Sequence, residues 1–193
     1  MALTDKDIAE LFEKTGGVLH GHFLLTSGRH SDTYMQCAKL FEDSEISATL
    51  CAELAERVKV YKPDIVVSPA VGAIIMGYEM SRHLHVKNLF AEREDGKMAL
   101  RRGFVLPAGA RVLIAENVVT TGGSVKEVIE LLSTMDCTVV GVAAMVDRSN
   151  GQVDFGVPFT AMLTADVKSW EASECPLCKD GSKPIKPGSR NLK

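Results

Sequence analysis

The sequence predicts an α/β protein built on a mainly parallel, twisted sheet with helices on both faces. Three observations carry this. After Pro63, short continuous apolar runs alternate with longer segments of helical periodicity, the pattern of strands covered on both faces and joined by crossover helices. Apolar residues make up 46% of the chain and charged residues 24%, ordinary for a globular protein with one core. The 193 residues suit a single domain with at most a small appendage.

The elements follow in order. Thr4 opens a helix, with Asp7 three residues later in an imperfect capping box. Ile8, Leu11 and Phe12 share one face, and Gly16-Gly17 ends the helix. His22 to Lys39 is extended, polar and aromatic, with a Ser27-Gly28 turn in its middle. Ser44 is expected to cap a second helix reaching about Tyr61, with Ile46, Leu50, Leu54 and Val58 inward. Asp64 to Ser68 is the first core strand, and Pro69 to Gly72 turns into a helix ending near Leu84. Met76, Tyr78 and Met80 on that helix read as packing residues. Asn88 to Ala91 is a strand, whereas Glu92 to Gly103 is charged and lacks apolar periodicity. Arg111 to Ala115 is a strand, Gly122 to about Met135 a helix, and Thr138 to Val146 and Phe159 to Ala165 are the last strands. The tail from Lys179 to Lys193, rich in Gly, Pro, Lys and Ser, is expected to be loosely ordered.

Several function classes recede on composition. A net charge of -3 gives no electrostatic reason for nucleic acid or an anionic membrane as partner. No apolar run approaches the roughly 18 residues of a membrane span. The N-terminus is acidic and amphipathic, unlike a signal peptide, so the expected location is cytoplasmic. Cys37, Cys51, Cys137, Cys175 and Cys178 form an odd, scattered set, read as free thiols. Only Cys175-Pro-Leu-Cys178 has the spacing of a metal pair, and no second cysteine pair follows to complete the four ligands of a structural zinc site. It is read as a C-terminal turn. His20, His22 and His30 lack a paired carboxylate and are read as surface or packing histidines.

The stretch Val112 to Ser124, VLIAENVVTTGGS, carries the chemistry. A strand ends in Glu116-Asn117, then Val118 and Val119, then Thr120-Thr121-Gly122-Gly123-Ser124, then a helix. Successive N–H groups at a helix N-terminus bind anions, and glycines let the backbone approach closely. Three hydroxyls add donors. An acid beside a phosphate cradle suits vicinal hydroxyls, or a metal bridging to them; together these point to a ribose 5-phosphate. The simpler reading is a strand-turn-helix with Ser124 as N-cap. Neither a Gly-Lys-Ser/Thr nor a Gly-x-Gly-x-x-Gly is present, which sets aside the Walker loop and the dinucleotide fingerprint.

This loop resembles the phosphoribosyl pyrophosphate motif of type I phosphoribosyltransferases. Phe23 to Ser31 with Tyr34 resembles the N-terminal hood of the orotate phosphoribosyltransferases, Ser68 to Gly72 their pyrophosphate loop, and Ala91 to Gly103 their mobile catalytic loop in one bacterial variant. Val146-Asp147-Arg148 resembles their orotate-binding segment, and the terminal Cys-Pro-Leu-Cys and Lys-Pro-Gly-Ser-Arg190 look like the same variant. The resemblance implies one type I phosphoribosyltransferase domain over residues 1–193, with a small hood from residues 1–40 and the C-terminal segment 165–193. It implies a glycosyltransferase of pyrimidine biosynthesis that joins orotate to phosphoribosyl pyrophosphate. Lys97, Arg93, Glu116 and Asn117 become the catalytic set. Glu116 and Asn117 meet the ribose hydroxyls, Thr120, Thr121, Gly122, Gly123 and Ser124 hold the 5-phosphate, and Val118 and Val119 also belong to the phosphoribosyl pyrophosphate site. Val71, Gly72 and Ala73 face the pyrophosphate through backbone N–H groups, with Arg93 and Lys97 closing over it. Thr120, Arg148, Ser27 and Gly28 contact orotate. Mg²⁺ is the implied cofactor, held mainly by substrate, with Glu116 nearby and no firm protein ligand. A homodimer with shared sites is implied, the loop of one subunit reaching the other's site.

Simpler readings stand beside these. Arg93, Lys97, Arg101 and Arg102 could be a solvated charge run, and Arg148 could pair with Asp147. Asn117 replaces the second acid of the superfamily motif; Thr26 and Ala99 stand where better-known members carry a lysine and a histidine. A purine phosphoribosyltransferase would share the phosphate loop without needing the hood or Arg148. A regulator that binds phosphoribosyl pyrophosphate with weak catalysis would fit Asn117.

Overall fold

A computed structural model describes residues 2–25, 27–165 and 167–187. Thr26, Asp166 and the tail motif from Gly188 through Arg190 lie outside the described residues.

Helix α1 (Asp5–Lys14) starts on the expected box: Thr4 Oγ1 accepts from Asp7 N at 3.2 Å and Asp7 Oδ2 accepts from Thr4 N at 2.8 Å. Strands β1 (Val18–Leu24) and β2 (His30–Met35) form a separate antiparallel hairpin around the Ser27-Gly28 turn. Helix α2 (Ser44–Val58) is capped by Asp43, not by Ser44. The Asp43 carboxylate accepts from the N–H groups of Glu45 and Ile46 at 3.0 and 3.1 Å, which places Ser44 inside the first turn. The helix stops at Val58; Lys59–Tyr61 tightens into a 3-10 turn closed by Lys62 at φ 48°.

The central sheet has six strands in the order β5-β4-β3-β6-β7-β8, taking β3 (Ile65–Pro69), β4 (Lys87–Glu94), β5 (Lys97–Leu100), β6 (Ala110–Val119), β7 (Cys137–Asp147) and β8 (Phe159–Thr164). Every pairing is parallel except β4 with β5. Helix α3 (Ile74–Leu84) crosses from β3 to β4, and α4 (Gly123–Ser133) from β6 to β7.

Alternation along the strands divides the core in two. Val66, Leu113 and Ala115 pack toward α1, α2 and α3, beside Ile8, Leu50, Leu54, Met76 and Met80. Ile65, Val67, Val112 and Ile114 pack toward Val125, Val128 and Leu132 of α4. Tyr78, expected in the core, is instead 60% exposed; two residues from both Met76 and Met80, it falls on the opposite side of the helix.

The charged stretch after Ala91 is a hairpin. Glu92, Arg93 and Glu94 pair with Ala99, Met98 and Lys97. Asp95 and Gly96 turn it with φ of 51° and 82°, the residue pair suited to a two-residue hairpin turn. The C-terminal segment also departs from expectation as far as residue 187. Ile185 O accepts from Leu24 N and Ile185 N donates to His22 O, both at 2.8 Å. Trp170 exchanges two backbone hydrogen bonds with His30. Both hood strands are therefore gripped by the end of the chain, with the short helix α5 (Pro176–Lys179) between the two grips. Among the described residues no helix is long and apolar enough to cross a membrane.

Candidate active site

The sheet order reverses between β3 and β6: the chain leaves β3 toward β4 on one side, while β6 lies on the other. The loops beyond the two strand ends therefore diverge, and a crevice opens between them. It is a cavity of about 550 Å³ lined by Pro69 to Gly72, Glu116 to Val125, Arg93 and Glu127.

Its floor is the start of α4. Gly122 sits at the N-cap with φ 73°, and a Cβ there would lie 2.8 Å from both Phe155 and Val153. Conformation and crowding thus both demand glycine. No side chain caps α4, and Ser124 lies within its first turn instead of at the cap. The N–H groups of that turn are left for a ligand, at the positive end of the helix dipole. Thr120, Thr121, Gly123 and Ser124 all line the cavity.

Glu116 and Asn117 form one wall. Glu116 is 8% exposed; burial pushes its carboxyl up to about 7, against the pull of the Asn117 N–H it accepts at 2.8 Å. Asn117 Oδ1 accepts from Val118 N at 2.9 Å. Its amide nitrogen lies against Gly72, where a Cβ would come within 2.9 Å. The two loops thus touch through an amide and a glycine.

In the opposite wall Val71 and Gly72 line the cavity, whereas Ala73 is buried and caps α3. The Ala70–Val71 peptide is cis. Arg93 reaches the cavity from β4 and is held there by Glu127 of α4, its Nη2 lying 2.8 Å from each carboxylate oxygen and its Nε donating at 3.1 Å. This pairing raises the guanidinium pKa above its usual value. Arg101 and Arg102 pair with Glu94 and Glu92. Lys97 is exposed on β5 and has no ion pair among the described residues.

Arg148 follows β7 and is half-buried outside the cavity lining. Its backbone N–H donates to Val119 O at 2.7 Å. Its Nε is buried with no partner among the described residues. It does not pair with Asp147, whose carboxylate instead accepts from Ser149 N, Ser149 Oγ and Gly151 N. Arg148 and Glu116 both act on the buried Cys37 thiol, which burial pushes up to about 12, Arg148 lowering and Glu116 raising it. Ser27 and Gly28 sit exposed at the hood turn, away from the cavity lining. Glu127 was not legible as a site residue; its one signal is its position one helical turn beyond Gly123 and Ser124, on the face they present.

The phosphoribosyl transferase domain family matches residues 39–174. The chain is 54% identical over 185 residues to an orotate phosphoribosyltransferase of Caldanaerobacter subterraneus subsp. tengcongensis, covering 96% of this chain and 97% of that one. It is 52% identical over 186 residues to the Thermotoga maritima orotate phosphoribosyltransferase, covering 96% of this chain and 100% of that one. Among solved structures, the orotate phosphoribosyltransferase of Aeropyrum pernix superposes with a TM-score of 0.70 at 26% identity, over 81% of this chain and 93% of that one. An adenine phosphoribosyltransferase of Leishmania tarentolae shares the fold, with a TM-score of 0.65 at 15% identity over 86% and 91% of the two chains. At 54% and 52% identity over 96% of its length, the chain belongs to the orotate phosphoribosyltransferase family.

Proposed function

We propose that this chain transfers the phosphoribosyl group of phosphoribosyl pyrophosphate to N1 of orotate, yielding orotidine 5'-phosphate and pyrophosphate for de novo pyrimidine synthesis. The observation that carries this reading is the crevice where Glu116 stands beside an uncapped, glycine-led helix N-terminus. The 5-phosphate rests on the first-turn N–H groups of α4 and the hydroxyls of Thr120, Thr121 and Ser124. One Glu116 oxygen is engaged by Asn117 N, leaving the other for a ribose hydroxyl. Val71 and Gly72 offer backbone to the pyrophosphate.

The donor set fits Mg²⁺ brought in on the pyrophosphate. Of the two cavity carboxylates, Glu127 is engaged by Arg93 and only Glu116 is without a cationic partner; Mg²⁺ commonly takes one or two carboxylates plus substrate phosphates. When bound, it neutralises charge developing on the leaving group. The chain's own residues do the rest. The C1–oxygen bond breaks as the C1–N1 bond forms, the N1 proton of orotate passing to the released pyrophosphate and solvent; positive charge grows on the ribose, and the Glu116 carboxylate faces it. Arg93 and Lys97 meet the departing pyrophosphate. The β4–β5 hairpin closes over the crevice and excludes water. Arg148, with its partnerless Nε, receives the orotate carboxylate in the bidentate geometry a guanidinium offers. The active unit is a homodimer in which Lys97 serves the neighbouring subunit.

The test is turnover of orotate, Mg²⁺ and phosphoribosyl pyrophosphate, followed by loss of orotate absorbance. Turnover with a purine base and none with orotate would overturn the reading; tight donor binding without turnover would make the protein a regulator. Arg148→Ala should raise the KM for orotate by roughly tenfold or more, as expected for losing a charged hydrogen bond of about 1.5–3 kcal/mol, with the KM for the donor little changed. Equal rises in both would place Arg148 elsewhere.

A further inference from the structure

Far along the chain from the crevice-forming loops, four side chains from opposite ends of the sequence converge. His22 lies on β1 and His30 on β2; Cys175 and Cys178 flank the start and middle of α5. The spacing Cys-x-x-Cys is that of a zinc knuckle pair. The two histidines are 7% and 6% exposed, and Cys175 is fully buried. One ligand atom from each of the four lies within 4.8 Å of all the others. His22 Nε2 is 3.0 Å from His30 Nδ1, 3.5 Å from Cys175 Sγ and 3.8 Å from Cys178 Sγ, and Cys178 Sγ is 3.3 Å from His30 Nδ1.

Hydrogen bonding among the four cannot account for this. His22 Nε2 has three polar neighbours, yet a ring nitrogen offers one proton or one lone pair. A shared cation does account for it. A tetrahedral zinc ion with Zn–N near 2.05 Å and Zn–S near 2.3 Å has ligand-to-ligand edges of about 3.3 Å for N–N and 3.6 Å for N–S. The observed distances scatter about those edges. The remaining nitrogen of His22, Nδ1, lies 3.1 Å from Ser182 Oγ, the kind of outer hydrogen bond that orients a ligating imidazole. Both cysteines are free thiols.

We propose that His22, His30, Cys175 and Cys178 bind one Zn²⁺ in a closed tetrahedral site that staples the hood hairpin to the C-terminal segment. Four protein ligands leave no open position, so the ion is structural and takes no part in the transfer reaction. The site spans the two backbone grips at Trp170 and Ile185, cross-linking strands that otherwise depend on a few hydrogen bonds.

The full-length protein, purified without chelator, should carry about one zinc per chain by elemental analysis. After chelation, Co²⁺ alone should restore a stoichiometric metal with the strong visible bands of a tetrahedral N2S2 site. Cys178→Ser should lose most of the metal, whereas Cys137→Ser, outside the cluster, should keep it. Should Cys178→Ser fail to fold, the wild-type chain decides the matter. Chelation under native conditions should lower Tm by roughly 10 °C and Zn²⁺ should restore it. It should also expose Cys175 and Cys178, and not Cys51, to alkylation mapped by mass spectrometry. A wild-type chain that takes up neither Zn²⁺ nor Co²⁺, or that carries a Cys175–Cys178 disulfide when freshly purified, would overturn the proposal.

Discussion

Glu116 shows how one side chain can serve the site at the expense of the fold. Burial raises its carboxyl from 4.5 to about 7, and that rise corresponds to about 3 kcal/mol between the protonated and ionised forms. The sign follows from the two states. Below pH 4.5 the residue is protonated both folded and unfolded, and it favours neither state by titration. Between 4.5 and 7 the folded chain holds the proton that the unfolded chain releases, so stability falls as pH rises. Above 7 the carboxylate is ionised in the fold, and the full cost is present. Glu116→Gln removes the charge but keeps the shape. It should therefore raise Tm relative to the parent at pH 8, with the difference shrinking toward pH 4.5, while lowering kcat. Thermal melts across that range check it; a pH-independent difference would mean that Glu116 is solvated. Asn117, by contrast, adds no charge to this wall. It bridges to Gly72 where a second carboxylate would have pushed Glu116 higher still.

Among the elements, the β4–β5 hairpin is the one that the proposed mechanism closes over the crevice, and Arg93 ties it to α4. The pair with Glu127 is about half exposed, and such pairs are worth at most about 1 kcal/mol. Glu127→Gln should free Arg93 for pyrophosphate and lower the donor KM by roughly two- to fivefold, the fold-change that this energy allows. A raised KM would mean that Glu127 itself serves the substrate. The same hairpin marks where sequence reading falls short. Its strands are too charged to display a buried face, so absence of apolar periodicity read as a loop, although Asp95-Gly96 was the turn signal to follow. The strands β3, β6 and β7 were legible because each is apolar on both faces, and the β6–α4 loop because phosphate binding needs glycines and hydroxyls in a fixed order. The start of α2 was misread by one residue because Asp43 and Ser44 are both good caps. The contact of Arg93 with Glu127 and the meeting of His22 and His30 with Cys175 and Cys178 were not legible, since each joins residues far apart in sequence through the fold itself.

At the scale of the whole molecule, the shared site proposed above makes a prediction about mixtures. Lys97 stands exposed with no ion pair among the described residues, on a hairpin distinct from the wall that carries Glu116. Lys97→Ala and Glu116→Gln homodimers should each be nearly inactive, and unfolding and refolding them together should restore activity through one intact site per mixed dimer. No recovery would mean that each subunit supplies its own lysine. The hood raises a different matter. Its hairpin, residues 18–35, is made well before the segments that grip it, around Trp170 and Ile185. A lone two-stranded hairpin is marginal in water. The six-stranded sheet between them can assemble while synthesis proceeds, but the hairpin has to wait for its own clamp. Translation therefore delivers the crevice at the start of α4 before the hairpin is clamped, and a chain cut short before Trp170 would hold that crevice intact beside a hairpin fastened to nothing.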